Sequence, residues 1–373
     1  MRVTHFSSIE ELAPYRQQWD RLSGGVPFRS WLWMSTWWQC YGDATAADAG
    51  RARLLLLAVF DDAGALAGIA PWHVERSPAW GSVVQFLGSG QVCSDYLSIL
   101  CDETRIEPVV AALADWLGDR QAGGGRVSGW DVLKLTGVAA GDLATARLAS
   151  RLAERGGTIH RRNSLNCWRL QLPRSWEAYE ALLSKGHRKQ IRRAQKNLFD
   201  SGRAVLHTVE QPQDLPRGME ILIDLHQRRQ QLRGEPGCFA SARFTAFHRA
   251  LAEPLLQSGR LQLHWLELDG RTAAAEYHLV GDNVIYAYQA GVDPAAMEHE
   301  PGSLITMATL RRAIERGYRA FDFLRGDESY KAHWRAEPAA SVELRVAAER
   351  PIARLRHRLW LAGSRLKQWT TGS

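Results

Sequence analysis

The chain lacks the marks of several function classes. Its longest aliphatic-rich run, Leu54–Phe60, falls far short of the ~20 residues that cross a bilayer. The opening segment, MRVTHFSSIEEL, has no apolar secretory core, so a cytoplasmic location is expected. The five cysteines (40, 93, 101, 167, 238) are odd in number, scattered and never in CxxC, which argues against a disulfide framework or a zinc ribbon. HExxH is absent, since His299-Glu300 runs into Pro301, and the histidines show no ligand spacing, so no metal is expected. No GxxxxGK[ST] occurs, which argues against a P-loop hydrolase. Gly88-Ser89-Gly90 is neither a dinucleotide fingerprint nor a nucleophile elbow.

What is present is a globular composition, 45% apolar and 23% charged over 373 residues, long enough for two domains. The formal charge of +7 is concentrated. Lys185, Arg188, Lys189, Arg192, Arg193 and Lys196 lie in one short stretch without an acid. Arg350, Arg354, Arg356, Arg358, Arg365 and Lys367 do the same near the C-terminus. The remainder is mildly acidic, so a coat for nucleic acid is disfavoured and no DNA partner is expected. Tryptophan is abundant at 15, with Trp31, Trp33, Trp37 and Trp38 crowded together. Core filling is the commoner use of such residues, and a carbohydrate-stacking surface is the alternative.

The two halves repeat one order of elements. The first predicts a helix over 9–22, strands over 54–60, 66–74, 83–87 and 96–100, a helix over 107–121 and a strand over 131–135. The second predicts a helix over 215–232, a hairpin of strands 261–268 and 272–280 turning at Asp269-Gly270, a strand over 283–291, a helix over 303–316 and a strand over 320–324. This is an α/β pattern of the mixed-sheet, α+β kind, with hairpins joined to a helical crossover. The expected domains are 1–163, 164–349 and a basic C-terminal helix, 350–373.

Two segments of the second half could carry chemistry. Pro301-Gly302-Ser303 opens a helix, where free N–H groups favour an anion, although Ser303 is also a plain N-cap. FDFLRGDESYKAHW then sets Asp322 in an apolar strand and crowds Arg325, Asp327, Glu328, Tyr330, Lys331 and His333 behind it. A phenol there could protonate a leaving group and a carboxylate could take a proton. Structural ion pairs, Asp322 with Arg325 and Asp327 with Lys331, are the competing reading.

These strings resemble the GNAT-fold acyltransferases, most closely the CelD/BcsL-like branch, through FLGSGQVCSDYLSIL, LHQRR, GVDP followed by PGSL, and FDFLRGDESYKAHW. The related FemABX aminoacyl transferases open their second domain on a basic helix similar to HRKQIRRAQK. Together the motifs span most of residues 25–335. The resemblance implies tandem GNAT-like domains and acyl transfer from acyl-CoA, with acetyl-CoA as co-substrate, to an amine or hydroxyl. The acceptor would be a small molecule or carbohydrate, on a polysaccharide or cell-envelope precursor. It implies that Gly302, Ser303 and Leu304, with Arg325 and Lys331, hold the donor, and that Tyr330 is the acid. Glu276 and Asp322 become candidate bases, and Asp95, His226 and Tyr288 acceptor contacts. One departure stands out: HEPGSL carries a single glycine where the GNAT loop has two. FemABX-like transfer from aminoacyl-tRNA, and a non-catalytic partner role in polysaccharide biosynthesis, stay open as alternatives.

The basic elements also have two readings each. The 185–196 helix, with no interleaved acid to neutralise it, is either a solvated surface or a contact for an anionic ligand. The C-terminal helix sets Ile352, Leu355, Leu359, Leu366 and Trp369 towards one side, for packing on the domain or for peripheral contact with an anionic membrane.

Overall fold

The computed structural model describes residues 1–42, 52–77, 79–118 and 129–371, with side chains of the last helix as far as Ala362. It divides into two compact units, residues 1–164 with 340–373, and residues 165–339.

The first unit runs β1 (Arg2–Phe6), α1 (Arg16–Leu22), α2 (Trp31–Tyr41), β2 (Arg53–Phe60), β3 (Leu66–Ser77), β4 (Gly81–Phe86), β5 (Leu100–Cys101), α3 (Ile106–Gly118), β6 (Val132–Ala139), α4 (Leu143–Glu154) and β7 (Thr158–Asn163). The helix expected over 9–22 begins as a 3-10 turn, Glu10–Tyr15, because Pro14 has no N–H for an α-helical bond. The strand expected over 96–100 shrinks to β5, since Tyr96 has φ 60°. The end of the helix expected over 107–121 lies outside the described residues. Trp31, Trp33 and Trp37 of α2 are buried, as core filling requires.

The second unit contains β8 (Cys167–Gln171), α5 (Trp176–Leu182), α6 (Lys185–Ala194), β9 (Ala204–Thr208), α7 (Leu215–Leu232), α8 (Ala242–Gln257), β10 (Leu261–Leu268), β11 (Arg271–Gly281), β12 (Val284–Val292), α9 (Pro301–Glu315), β13 (Ala320–Arg325), α10 (Ser329–His333) and β14 (Glu337–Ala339). The chain then returns to the first unit as β15 (Ser341–Ala347) and α11 (Pro351–Thr371).

That return corrects the expected domain limits of 164–349 and 350–373. All seven residues of β15 are buried, and the strand pairs antiparallel with β6 on one side and β7 on the other. An inner strand must satisfy both edges, so Ser341–Ala347 belong to the first sheet, whose order is β1-β2-β3-β4-β6-β15-β7, and residues 340–349 to the first unit. The second sheet runs β14-β8-β13-β12-β11-β10-β9. Among the described residues each sheet has one parallel pair, β4 with β6 and β12 with β13, and in each case a helix, α3 or α9, makes the crossover.

The β12–β13 pair positions the site. Its ladder covers only Val284–Tyr286 against Ala320–Asp322, although β12 continues to Val292 and β13 to Arg325. Beyond Tyr286 the two strands share no register. α7 packs on the sheet face that carries Leu263, where Gly218 leaves no room for a Cβ. α9 covers the opposite face, which carries Glu276.

Because β15 is an inner strand, a chain ending at Ala340 should lose the cooperative unfolding transition of the first unit. Calorimetry of the full and shortened proteins checks this, and an unchanged first transition would show β15 to be dispensable.

Candidate active site

The end of β13 is shaped by two buried charges. Asp322 is fully buried, and its carboxylate accepts from Arg169 Nε at 2.8 Å and from the Leu324 N–H at 2.8 Å. The second bond holds Leu324 at φ 57°, where the ladder to β8 slips between Asp322 and Arg325. Lys331, 2% exposed, donates to the carbonyls of Leu324 (3.1 Å), Arg325 (3.1 Å) and Gly326 (3.0 Å) and pairs with Glu328 at 2.9 Å. An ammonium has three donors, and here all are committed to the loop. Two expectations are therefore corrected. Asp322 holds a bulge and an arginine rather than standing free as a base, and Lys331 faces inward rather than towards a donor. Asp322 pairs with Arg169, and Lys331 with Glu328. Asp327 instead accepts from Asn166 and Trp168, which holds its carboxyl below the ordinary range. Arg325 is partly buried, opposite Cys167.

Glu276 and Tyr330 share one electrostatic neighbourhood. Glu276, 7% exposed, accepts from Thr306 Oγ1 at 2.8 Å and Thr309 Oγ1 at 2.9 Å, hydroxyls one turn apart on α9. His278 Nε2 lies 3.0 Å from the same carboxylate. Tyr330, on α10, is 49% exposed. Partial burial, then the charges of Glu328 and Glu276, hold its phenol above the ordinary value. It stays protonated across the physiological range, as a proton donor must.

The expected acceptor residues fall in two places. Tyr288 is the extra residue where the β11–β12 register shifts, and its ring lies 5.1 Å from His248. His226, on α7, directs Nδ1 to the Ala290 carbonyl at 3.0 Å and Nε2 to Cys238 Sγ at 3.3 Å, and burial lowers its pKa. Both lie on the α7 side of the sheet. Asp95 belongs to the first unit, where it is buried between the left-handed residues Cys93 and Tyr96.

A cleft of about 630 Å³ opens between α6 and the start of α9. Ile191, Leu198, Leu304, Met307 and Trp334 give it apolar surface, and Arg193, Asn197, Arg203, Glu298, Glu300 and Ser303 give it polar surface. Ser303, read from sequence as a cap, lies inside the first turn of α9. The N-cap is Glu300 at φ 51°, with no side-chain cap bond. Gly302 adjoins Ser303 and keeps the helix start slim, since an added Cβ would touch only Val292. The basic helix is neutralised more than its sequence implied. Arg192 pairs with Glu180 of α5 at 2.8 Å, and Arg188 donates to the carbonyls of residues 180, 181 and 183. Arg203 is clamped by Asp269. Arg193 reaches the cleft with no acidic partner among the described residues. His187 stacks on His333 at 3.7 Å, and burial, then the neighbouring imidazole, brings its pKa down to about 4. It adds no charge at neutral pH.

The structure thus brings Ser303 and Leu304 to the cleft with the basic helix, and sets Tyr330 near Glu276. The Thr306–Thr309 clamp was missed from sequence. Its signal was two hydroxyls, three residues apart, on the buried side of an apolar helix.

Residues 185–332 match the family described as an acetyltransferase (GNAT) domain. No curated protein matches the chain in sequence. Among solved structures, FemX matches with a TM-score of 0.66 at 11% identity, over 95% of this chain and 99% of that one. The C-terminal domain of a putative lysylphosphatidylglycerol synthetase from Agrobacterium fabrum matches at 0.53 and 13% identity, over 95% and 96%. L-PGS from Bacillus licheniformis matches at 0.51 and 11%, over 92% and 94%. At such identities the likeness is one of fold, and the fold is mixed α/β with two GNAT-like sheets in tandem.

Two outcomes follow from this geometry. Lys331→Met should strip three carbonyls of their donor and cost about 3 kcal/mol of stability, read by denaturant unfolding. A variant of unchanged stability with weakened donor binding would instead return Lys331 to the donor site. His187 has a folded pKa of about 4 against an ordinary 6.5, so the unfolded chain binds its proton first. Its contribution to stability is complete above pH 6.5 and is lost as the pH falls towards 4. His187→Asn should flatten the stability profile within that window.

Proposed function

We propose that the second unit transfers an acyl group, with acetyl the expected one, from acyl-CoA to an amine or hydroxyl. The acceptor is a small molecule or carbohydrate, as on a polysaccharide or cell-envelope precursor. Placement in the CelD/BcsL-like branch is part of the proposal and rests on the motifs quoted above. The observation that carries the reading is the parting of β12 from β13, beside a helix start without a side-chain cap, with Tyr330 within reach of the charge of Glu276.

The residues fit such a donor. The start of α9, Arg193 and Asn197 would hold its phosphates, and the apolar surface of Leu198, Leu304 and Met307 would take its less polar parts. Residues 287–292 of β12 have no partner in β13, so apart from the Ala290 carbonyl, which meets His226, their backbone groups on that edge are open to an amide-bearing arm. The acceptor's nitrogen or oxygen attacks the acyl carbonyl, and the bond from that carbon to the donor sulfur breaks. Glu276, aligned by Thr306 and Thr309, takes the acceptor's proton. Tyr330 gives its proton to the departing sulfur and, being half exposed, recovers one from water. His226 and Tyr288, on the α7 side, are proposed as contacts for the part of the acceptor remote from its attacking atom, since Glu276 lies on the opposite face.

A second reading is aminoacyl transfer from charged tRNA. The match to FemX over nearly the whole of both chains and the two lysylphosphatidylglycerol synthetase folds support it. The same acid and base would serve an ester donor, and the basic helix would meet the tRNA backbone.

Thermal-shift titration with acetyl-CoA, longer acyl-CoAs and aminoacyl-tRNA separates the readings. Stabilisation by CoA thioesters alone is expected. Stabilisation only by charged tRNA would select the second reading, and no response to any donor would favour a non-catalytic partner role. Tyr330→Phe should lower turnover about 100-fold or more with donor affinity nearly unchanged. Undiminished turnover would remove Tyr330 as the acid.

A further inference from the structure

The C-terminal helix is seated inside out. α11 carries aliphatic residues at Ile352, Leu355 and Leu359, the spacing of one helix face, and no acid occurs from residue 350 to the end of the chain. A helix serving a core would turn that row inward. Here Ile352, Leu355 and Leu359 are 55%, 57% and 62% exposed, while Ala353 and His357 point into the first unit at 0% and 2%.

The covered side of the helix is polar. The Arg345 guanidinium, 4% exposed, lies between the rings of Trp80 (5.3 Å) and Trp360 (4.5 Å). Its Nε and Nη2, and both ring nitrogens of His357, have no hydrogen-bond partner. The seat is fixed from the flanks by charge, with Arg356 3.3 Å from Asp131, Arg350 3.8 Å from Asp131, and Arg354 donating to the Gly156 carbonyl at 2.9 Å. These contacts hold the aliphatic row in water. Arg358, on the outer face, has no acidic partner among the described residues.

We propose that the outer face of α11 docks on an anionic lipid bilayer. A narrow aliphatic row set among cations matches the boundary between headgroups and acyl chains, where the row enters the apolar layer and guanidinium groups meet phosphates. Charge selects this occupant over a second copy of the chain: from residue 350 the helix carries cations and no acid, the exposed Glu349 before it is paired with Arg354, and two such helices repel. Among the described residues no helix is long and apolar enough to cross a membrane, so α11 lies on the surface. Three aliphatic residues give a modest apolar contact, so binding depends on anionic lipid and weakens with salt. This holds for either donor of the second unit.

The test is co-sedimentation of the full chain with phosphatidylcholine vesicles and with mixed phosphatidylcholine–phosphatidylglycerol vesicles. Binding to the mixed vesicles alone is expected, with loss at high ionic strength. Leu355→Glu/Leu359→Glu changes exposed positions, so it should keep the wild-type melting temperature and lower vesicle binding at least about tenfold. Arg358→Glu should weaken binding more mildly. The proposal is overturned if mixed vesicles bind no protein, if the double variant binds undiminished, or if light scattering finds a dimer that the double variant dissolves.

Discussion

A buried ammonium must find its acceptors inside the protein, and Lys331 finds them in three successive carbonyls at the end of β13. From that contact the geometry of the second unit follows. The loop Leu324–Gly326 is drawn around the ammonium, with Asp322 fixing its first residue in a left-handed conformation. The chain thereby leaves the line of the sheet, and α10 starts where Tyr330 stands near Glu276 and His333 stacks on His187. A tyrosine on so short a helix would otherwise have little to fix its position. The charges that look most reactive in the sequence are the ones used to hold Tyr330, the proposed acid, in place.

Glu276 illustrates the same economy. Its carboxylate is buried in the sheet, yet its hydroxyl partners come from the helix whose first turn borders the cleft. In the proposed reaction α9 therefore joins two tasks, presenting its N-terminus to the donor and aligning a carboxylate for the acceptor. A shift of that helix would disturb both together.

Much of the fold was legible because it rests on local patterns. The helix Leu215–Leu232 and the strand Leu261–Leu268 coincide with their sequence limits, since apolar spacing and flanking turn residues act within a few positions. Asp269 and Gly270 take up positive φ, as a tight hairpin needs. The candidate site was legible in its residue types and less so in their directions. Nothing local says that Lys331 turns back on carbonyls five to seven residues earlier, that Asp322 meets Arg169 on another strand, or that Arg192 is neutralised from α5. The inverted seat of α11 was hidden for a related reason: amphipathic spacing defines a face, while its flanking ion pairs decide which way that face points.

The return of the chain as β15 places the second unit between two neighbouring strands. Residues 165–339 leave the first sheet after β7 and re-enter it at β15, and the two strands are bonded along their length, with the Ser164 N–H donating to the Ser341 carbonyl at 2.9 Å. Mechanically this is a closed clasp. Tension applied to the two ends of the polypeptide passes through the first sheet and across the β7–β15 ladder, so the inserted unit carries no load until that ladder shears. The unit with the candidate catalytic residues is in this sense shielded from force by the unit without them.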